Sequence, residues 1–278
     1  VGIHDSFFEL GGDSILSMQI IARAYKAGLQ ISASQFFQYP TIAELALVAV
    51  PSQQVLAEQG PVSGPIMLTP VQSWFFAQDF AEPHHWNQAM MLMVPTDIQS
   101  NVLRESLQAL VTHHDALRLV FERDSQGWHG QICPPEQYDL MPVVDLTHLA
   151  VDQRSAELER IAGEAQASLD LARAPRLCSM FFDLGEELGK RLLMIINYPS
   201  IDGVSWRILL DDLQTAYHQL SQGYELSLPH KTTSYQQWGQ RLSEYAQTPQ
   251  LQQELSYWQD HIRAGKSVPI DKPGGENI

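Results

Sequence analysis

Ser14 is the first residue of this sequence whose type and surroundings suggest chemistry. It ends the stretch Phe7–Ser14, which reads FFELGGDS. Gly11 and Gly12 allow a sharp backbone turn and leave room beside the serine. An apolar pattern of helical spacing follows, which predicts Ser14 at a helix N-terminus. There, a phosphate ester on the hydroxyl would lie near free backbone N–H groups and the positive end of the helix dipole. The same pattern also fits an ordinary helix cap.

The second candidate is the segment Asn197–Gly203, which reads NYPSIDG between a predicted strand and a predicted helix. Tyr198 and Asp202 are its titratable side chains. Proton transfer near neutral pH works best with a base whose pKa is close to 7. An imidazole meets that requirement and a phenol, with a reference pKa near 10, does not. Asp202 precedes a helical pattern and could simply be its N-cap.

The remaining reactive side chains favour structural interpretations. Cys133 and Cys178 form neither a disulfide framework nor a metal-ligand cluster, so we expect two reduced core thiols and no metal site. The adjacent His113 and His114 are expected to be solvated or capping residues. The large aromatic residues beside the candidate motifs, Trp74 and Trp206, are expected in the core.

Composition narrows the function further. The chain has 278 residues, a net charge of −15 and no cluster of basic residues, so nucleic acid and anionic membranes are not expected partners. The N-terminus lacks a basic region followed by an apolar run, and no stretch approaches the ~18 apolar residues of a membrane span. We therefore expect a cytoplasmic protein.

The elements that would position Ser14 form a small helical unit over residues 1–50. A helix is predicted from Ser14 to Gly28, a short helical turn holds Phe36, and a last helix begins at Thr41. Residues 51–65 have the proline, glycine and polar composition of a linker.

From residue 66 onwards, helices and strands alternate, which predicts a layered α/β lobe. Strands are expected at 89–94, 117–122, 128–133, 177–182 and 192–198. Helices are expected to begin at Thr69–Pro70 and at Asp202, and to cover 103–111 and 158–169. The last helix is predicted to begin at Thr248–Pro249 and to end near Gly265. The abrupt first and last residues suggest a fragment of a larger protein.

The first unit resembles the peptidyl carrier domains of nonribosomal peptide synthetases. The resemblance rests on Phe7–Ile15, Phe36–Phe37 and Pro40–Leu45. It implies that Ser14 bears 4′-phosphopantetheine, attached by a phosphopantetheinyl transferase. Carrier domains have a helix before this loop that is absent here, so we expect an incompletely folded carrier.

The second unit, residues 66–278, resembles the N-terminal lobe of an epimerization domain, in the condensation superfamily with its chloramphenicol-acetyltransferase-like fold. The matching stretches are LTPVQSWFF at Leu68–Phe76, HWNQ at His85–Gln88, HHDALR at His113–Arg118, DGVSWRIL at Asp202–Leu209 and PGGEN at Pro273–Asn277. The first and fourth of these favour epimerization over condensation.

The family's active-site motif reads His-His-x-x-x-Asp-Gly, and here both histidines are replaced. Asn197 and Tyr198 stand in their places, with Tyr198 at the position of the family's acid/base residue. The resemblance implies proton removal and return at the α-carbon of a carrier-bound thioester, which requires neither metal nor pyridoxal phosphate. It also suggests that Asp202 pairs with Arg118, with a plain N-cap as the alternative, and that Gly203 leaves space for the pantetheine arm.

Three functions remain open at this point. The first is part of an epimerase, inactive in this chain without a second lobe and a replacement base. The second is a degenerate, non-catalytic platform that binds a loaded carrier or a tailoring enzyme. The third is a condensation domain that forms peptide bonds. In each case the expected partners are other synthetase domains: an adenylation domain upstream, and a second epimerization lobe or a condensation domain downstream.

Overall fold

The computed structural model describes residues 1–52 and 57–264. The chain divides into two compact units, Val1–Leu56 and Ala57–Ile278. None of the helices in these described ranges combines the length and hydropathy that a membrane span requires.

The first unit is helical, as its sequence predicts. Its elements are α1 (Ser14–Lys26), β1 (Leu29–Gln30), α2 (Ala33–Gln38), α3 (Ile42–Val48) and β2 (Val50–Pro51). Caps set the helix starts: the side chains of Asp13, Ser32 and Thr41 each accept hydrogen bonds from backbone N–H groups in the first turn that follows. Gly28 follows Ala27, the C-cap of α1, and has a φ of +85°, so the chain leaves the helix in a conformation that favours glycine.

A small aromatic core holds the first unit together. Phe36 is buried, and the ring of Phe7 meets it edge-on, with ring centroids 4.9 Å apart. Phe8 stacks on Phe37 at 5.3 Å. The loop before Ser14 is therefore fixed by aromatic packing onto α2.

The second unit alternates helices and strands. Its elements are β3 (Gly64–Ile66), α4 (Pro70–Ala77), β4 (Asn87–Val94), α5 (Ser100–His113), β5 (Leu119–Asp124), β6 (Gly127–Ile132), β7 (Val143–Asp145), α6 (Val151–Ala167), β8 (Leu177–Asp183), β9 (Lys190–Asn197), α7 (Gly203–Ser221), α8 (Tyr235–Ala246) and α9 (Pro249–Ala264). Short 3₁₀ turns occupy Pro83–His85, Asp115–Arg118 and Tyr198–Ser200.

Two sheets organise this unit. One has the order β3-β6-β5 and the other β4-β9-β8-β7, in which only β7 and β8 run parallel. In the larger sheet, Asn87 on β4 pairs with Asn197 at the end of β9. The candidate segment 197–203 therefore starts at the end of a central strand, where a neighbouring strand begins beside it.

Helices cover both faces of the larger sheet, which gives the layered α/β architecture predicted from the sequence. On one face, α5 and α7 pack against alternate residues of β8 and β9, including Leu177, Phe181, Leu192 and Met194. On the other face, α6 packs against Phe182, Leu193 and Ile195. The helices contribute Leu107, Leu110 and Leu209 to the first of these cores.

The predicted linker, 51–65, contains strand residues at both ends. Pro51 belongs to β2, and Gly64 and Pro65 belong to β3. Residues 53–56 lie outside the described residues, as do Gly265 and the PGGEN stretch at Pro273–Asn277. The boundary between the two domains therefore stays a prediction.

Candidate functional site

Ser14 is exposed at the first position of α1, where the sequence places it. In the part of the chain that the structure describes, its hydroxyl makes no hydrogen bond, and its carbonyl accepts one from Ser17 Oγ at 2.7 Å. The hydroxyl is therefore accessible for attachment of a phosphopantetheine arm.

The expected phosphate cradle at the helix N-terminus is already occupied. The Asp13 carboxylate accepts from the N–H groups of Ile15 and Leu16 at 2.9 and 2.7 Å. The Ser17 N–H bonds to the Asp13 carbonyl at 2.9 Å. A phosphate on Ser14 would therefore not find these donors free, and it would lie beside a carboxylate. This corrects the sequence-based expectation, because Asp13 satisfies the amides that the phosphate would need.

The two positions before Asp13 and Ser14 require glycine for different structural reasons. Gly11 has a φ of +87°, which an L side chain rarely adopts. A Cβ on Gly12 would lie 2.5 Å from the ring of Phe7. The second glycine therefore makes room for an aromatic ring of the loop, not for the serine.

Asn197, at the first position of the candidate segment, is fully buried. Its amide nitrogen donates to the His84 carbonyl at 2.9 Å, and its amide oxygen accepts from Arg176 Nη1 at 3.2 Å. Both hydrogen-bonding functions are thus used within the protein. Asn197 cannot act on a substrate in this arrangement, and it connects the end of β9 to its surroundings.

Arg176 is a residue that sequence reasoning missed. It is fully buried, and it also donates to the carbonyls of Asp170 and Arg173. Among the described residues no carboxylate oxygen lies within 4.0 Å of it, and its Nε is without a partner. Burial lowers the pKa of Arg176 to about 10, so it remains charged at pH 7. A single arginine before an apolar strand carries no sequence signal for such a position.

Tyr198 points its ring into an aromatic group and remains 42% exposed. Its ring centroid lies 6.3 Å from that of Phe75 and 6.4 Å from that of Trp86. Its N–H bonds to the Trp86 carbonyl at 2.9 Å. The carbonyl of the next residue, Pro199, accepts from the buried Gln72 at 3.1 Å. The tyrosine thus has an accessible phenol on a backbone that is held on both sides.

Asp202 caps α7. Its carboxylate accepts from the N–H groups of Val204 and Ser205 at 3.0 and 2.7 Å, and from Ser205 Oγ at 2.7 Å. The N-cap alternative is therefore confirmed. A Cβ on Gly203 would meet no heavy atom within 4 Å, so the space beside this exposed residue is open.

The suggested pair between Asp202 and Arg118 is wrong. Arg118 is fully buried and pairs with Asp115 at 2.6 Å, three residues earlier in the 3₁₀ turn. Asp202 is exposed at the start of α7, with its acceptor capacity used by its own helix. Arg118 therefore pairs with the aspartate that is close to it in sequence, and not with Asp202.

His113 and His114 end α5 away from the segment 197–203. His114 Nε2 lies 2.9 Å from the carboxylate of Asp212 on α7, which joins the two helices. Asp212 is nine residues beyond Gly203, roughly 14 Å along the helix. Burial, and then the neighbouring His114, lower the pKa of His113. His114 is thus the C-cap of α5 and also contacts α7, and neither histidine is fully solvated, because both are half-buried.

The two tryptophans behave differently. Trp206 is buried and donates to Gln88 at 2.9 Å, so its core assignment is confirmed. Trp74 is 57% exposed, and its core assignment is wrong. It lies on the opposite side of α4 from the buried Phe75 and Phe76, where the helix faces solvent.

Comparison with known proteins decides the family. Residues 62–273 match the Condensation domain family, and residues 1–48 match the family described as phosphopantetheine attachment site.

The chain belongs to the condensation-domain family.

The relatives of this condensation-type chain are peptide synthetases. It is 44% identical to a linear gramicidin synthase of Brevibacillus parabrevis over 98% of its own length, and 40% identical to the chondramide synthase of Chondromyces crocatus over its full length. It spans 4% and 7% of those two proteins. The chain is thus nonribosomal peptide synthetase sequence, and the attachment-site match implies a 4′-phosphopantetheine cofactor.

Solved structures of the condensation-domain family agree with the fold. The epimerization domain from the third module of tyrocidine synthetase B is 34% identical with a TM-score of 0.71, over 77% of this chain and 48% of that one. The starter condensation domain of rhizomide synthetase, at 22% identity and a TM-score of 0.61, shares the fold over 74% of this chain and 50% of that one. The chloramphenicol-acetyltransferase-like fold expected from the sequence is confirmed.

Proposed function

We propose that this chain is a carrier and the first half of an epimerization domain whose acid/base residue has been replaced. The carrier holds an aminoacyl or peptidyl thioester on Ser14. The second unit receives it beside Tyr198. The observation that carries the proposal is the 34% identity to a solved epimerization domain, combined with a tyrosine at the end of β9.

The accessible hydroxyl of Ser14 supports the carrier part. It is exposed at the first position of α1 and makes no hydrogen bond within the described residues. The loop before it is held by Phe7 on Phe36. Intact-protein mass spectrometry with coenzyme A and a phosphopantetheinyl transferase tests it: the wild type should gain the arm and Ser14→Ala should not. If the wild type stays unmodified both in this chain and in a longer chain that includes the preceding helix, the carrier role is refuted.

The residues beside Tyr198 have definable roles in the second unit. When bound, the phosphopantetheine thioester acidifies the α-carbon proton of its acyl group. Asn197 and Gln72 hold the backbone on either side of Tyr198. Gly203 leaves open space. Asp202 begins α7 and is engaged by its own helix. Tyr198 is therefore the proton-handling candidate on this side, and a phenol is a poor base near pH 7.

A non-catalytic platform is the second candidate. The exposed rings of Tyr198 and Trp86, with Phe80 stacked on Trp86 at 4.3 Å, form an apolar surface suited to contact rather than to proton transfer. Deuterium incorporation at the α-carbon of a loaded L-aminoacyl group distinguishes the candidates. Exchange above a Tyr198→Phe control indicates an epimerase, and binding without exchange indicates a platform.

A further inference from the structure

Asp212 places a carboxylate on the buried face of α7. It lies at helical spacing from Leu209, Leu213 and Ala216, which are buried, and its own side chain is 7% exposed. In the described part of the chain, its carboxylate contacts His114 Nε2 at 2.9 Å, and no lysine or arginine nitrogen lies within 4.0 Å of it. A buried carboxylate needs a positive charge or several donors to offset its lost hydration. A cation at this place would supply that charge.

The end of α5 brings two imidazoles to this carboxylate. Consecutive residues within a helix do not face the same neighbour. Here His113 is the last residue of α5, and His114 leaves the helix with φ −90° and ψ 98°. The two rings meet edge to face, with centroids 4.9 Å apart. One ligand atom from each of His113, His114 and Asp212 lies within 4.8 Å of the other two. The fold thus gathers three metal-ligating side chains from two helices.

We propose that His113, His114 and Asp212 bind a divalent transition-metal ion, of which zinc suits two imidazoles and a carboxylate. Ligand atoms at ~2.0–2.2 Å from a tetrahedral ion lie about 3.3–3.5 Å apart. His114 Nε2 and Asp212 would therefore separate slightly from 2.9 Å, and the His113 ring would rotate towards them. The ion would bind His114 at Nε2, which leaves the ring proton on Nδ1. The expectation of no metal site rested on the two cysteines, which this cluster does not use.

A cleft beside His113 gives the ion access to solvent. The cleft has a volume of about 460 Å³, and its lining includes His113, Gln108, Thr112 and Lys231. Three protein ligands leave one position of a four-coordinate zinc for water. The ion would therefore exchange with solvent and be removable by a chelator. When bound, it joins the end of α5 to α7. This inference depends neither on the proposed carrier nor on the proposed epimerization role.

Zinc titration of the full chain after chelator treatment tests the site. Isothermal titration calorimetry at pH 7 should show that the wild type binds one equivalent. Asp212→Asn keeps a side chain that can bond to His114 but removes the charge, and His113→Gln removes one half-buried imidazole. Each should weaken zinc binding at least about tenfold, because even the partners of metal ligands contribute 10–100-fold. Circular dichroism checks that both variants are folded. If Asp212→Asn does not fold, His113→Gln decides the test.

Two matched variants control for the other aspartates and histidines. Asp211→Asn removes the same charge from the adjacent, exposed position of α7, and His218→Gln removes an exposed imidazole further along that helix. Both should bind zinc as the wild type does. Cobalt(II) in place of zinc adds a spectroscopic test. It should give visible ligand-field absorption without thiolate charge-transfer absorption, because the proposed ligands include no sulfur.

Each outcome decides the proposal. One equivalent of zinc, bound more weakly by the folded site variants and equally well by the two controls, supports it. A folded wild type that binds no zinc at millimolar concentration overturns it. Equal binding by all the variants, or thiolate absorption with cobalt, places the ion elsewhere and also overturns it. If only Asp212→Asn weakens binding, the assignment of His113 as a ligand is overturned.

Discussion

Arg176 donates a hydrogen bond of 3.2 Å to the amide oxygen of Asn197, and both side chains are fully buried. Asn197 occupies the first histidine position of the family motif and also donates to the His84 carbonyl. The residue directly before Tyr198 therefore satisfies the buried Arg176 and also binds the His84 carbonyl. This relationship gives the motif a structural role that is independent of proton transfer.

Replacing Asn197 should destabilise the second unit. Asn197→Leu leaves Arg176 Nη1 and the His84 carbonyl without this partner, so we expect a loss of about 2–4 kcal/mol in the free energy of unfolding. The matched control is Asn101→Leu on the exposed side of α5, where a change within about 0.5 kcal/mol is expected. Urea unfolding measures both. Equal effects would contradict the role of Asn197.

The same substitution at two aspartates tests the pairing of Arg118. Asp115→Asn neutralises the buried partner of Arg118 and should cost about 3–5 kcal/mol. Asp202→Asn keeps a capping side chain and should cost less than about 0.5 kcal/mol. Thermal or urea unfolding gives the order. A larger loss at Asp202 would restore the Asp202–Arg118 pair that the structure excludes.

Two glycines should respond oppositely to alanine. Gly12→Ala places a Cβ 2.5 Å from the ring of Phe7 and should destabilise the first unit by about 1–3 kcal/mol. Gly203→Ala meets open space and should change stability by at most about 1 kcal/mol, in the stabilising direction. Peptide-level hydrogen exchange resolves the two units. If a loaded carrier no longer binds the Gly203→Ala variant although the variant is folded, the space beside Gly203 holds the phosphopantetheine arm.

Acid should destabilise the second unit through His113. Burial and the neighbouring His114 lower its pKa, so the folded state binds this proton less strongly than the unfolded state. Stability is therefore retained above the unfolded pKa near 6.5 and lost as pH falls through it. His113→Gln should reduce the loss between pH 8 and pH 5, measured by urea unfolding. A variant as acid-sensitive as the wild type would contradict this.

This chain should not epimerise a carrier-bound residue, and Tyr198→His alone should restore little. A well-placed acid/base residue typically raises the reaction rate roughly 10²–10⁴-fold, and a phenol at that position would lose much of this gain. In addition, the chain spans 48% of the solved epimerization domain it resembles. Loading an L-aminoacyl group in deuterated buffer and following its α-carbon by mass spectrometry measures the exchange. Enzyme-dependent exchange in the wild type, above Tyr198→Phe, would reject the expectation.

Local sequence patterns determined most of the regular elements. The Thr41 and Asp202 caps and the glycine after α1 were readable because the groups involved are neighbours in sequence. The strands at 89–94 and 177–182 were readable because each is long enough to carry an apolar pattern. The short β3 and β7 were not, because three residues form a strand only through a partner distant in sequence.

The stretches FFELGGDSI, LTPVQSWFF, HHDALR and DGVSWRIL carried the family resemblance, and Ser14 and the segment NYPSIDG were the candidates for chemistry. Only the tertiary structure decided what surrounds them. Arg176 binds Asn197, which lies 21 residues further along the chain. Arg118 pairs with Asp115 and not with Asp202. The backbone of Val62 is hydrogen-bonded to Asp115 and Arg118, which lie 53 and 56 positions further along the chain. Buried charges and amides must find partners wherever folding brings them, and sequence spacing does not encode those distances.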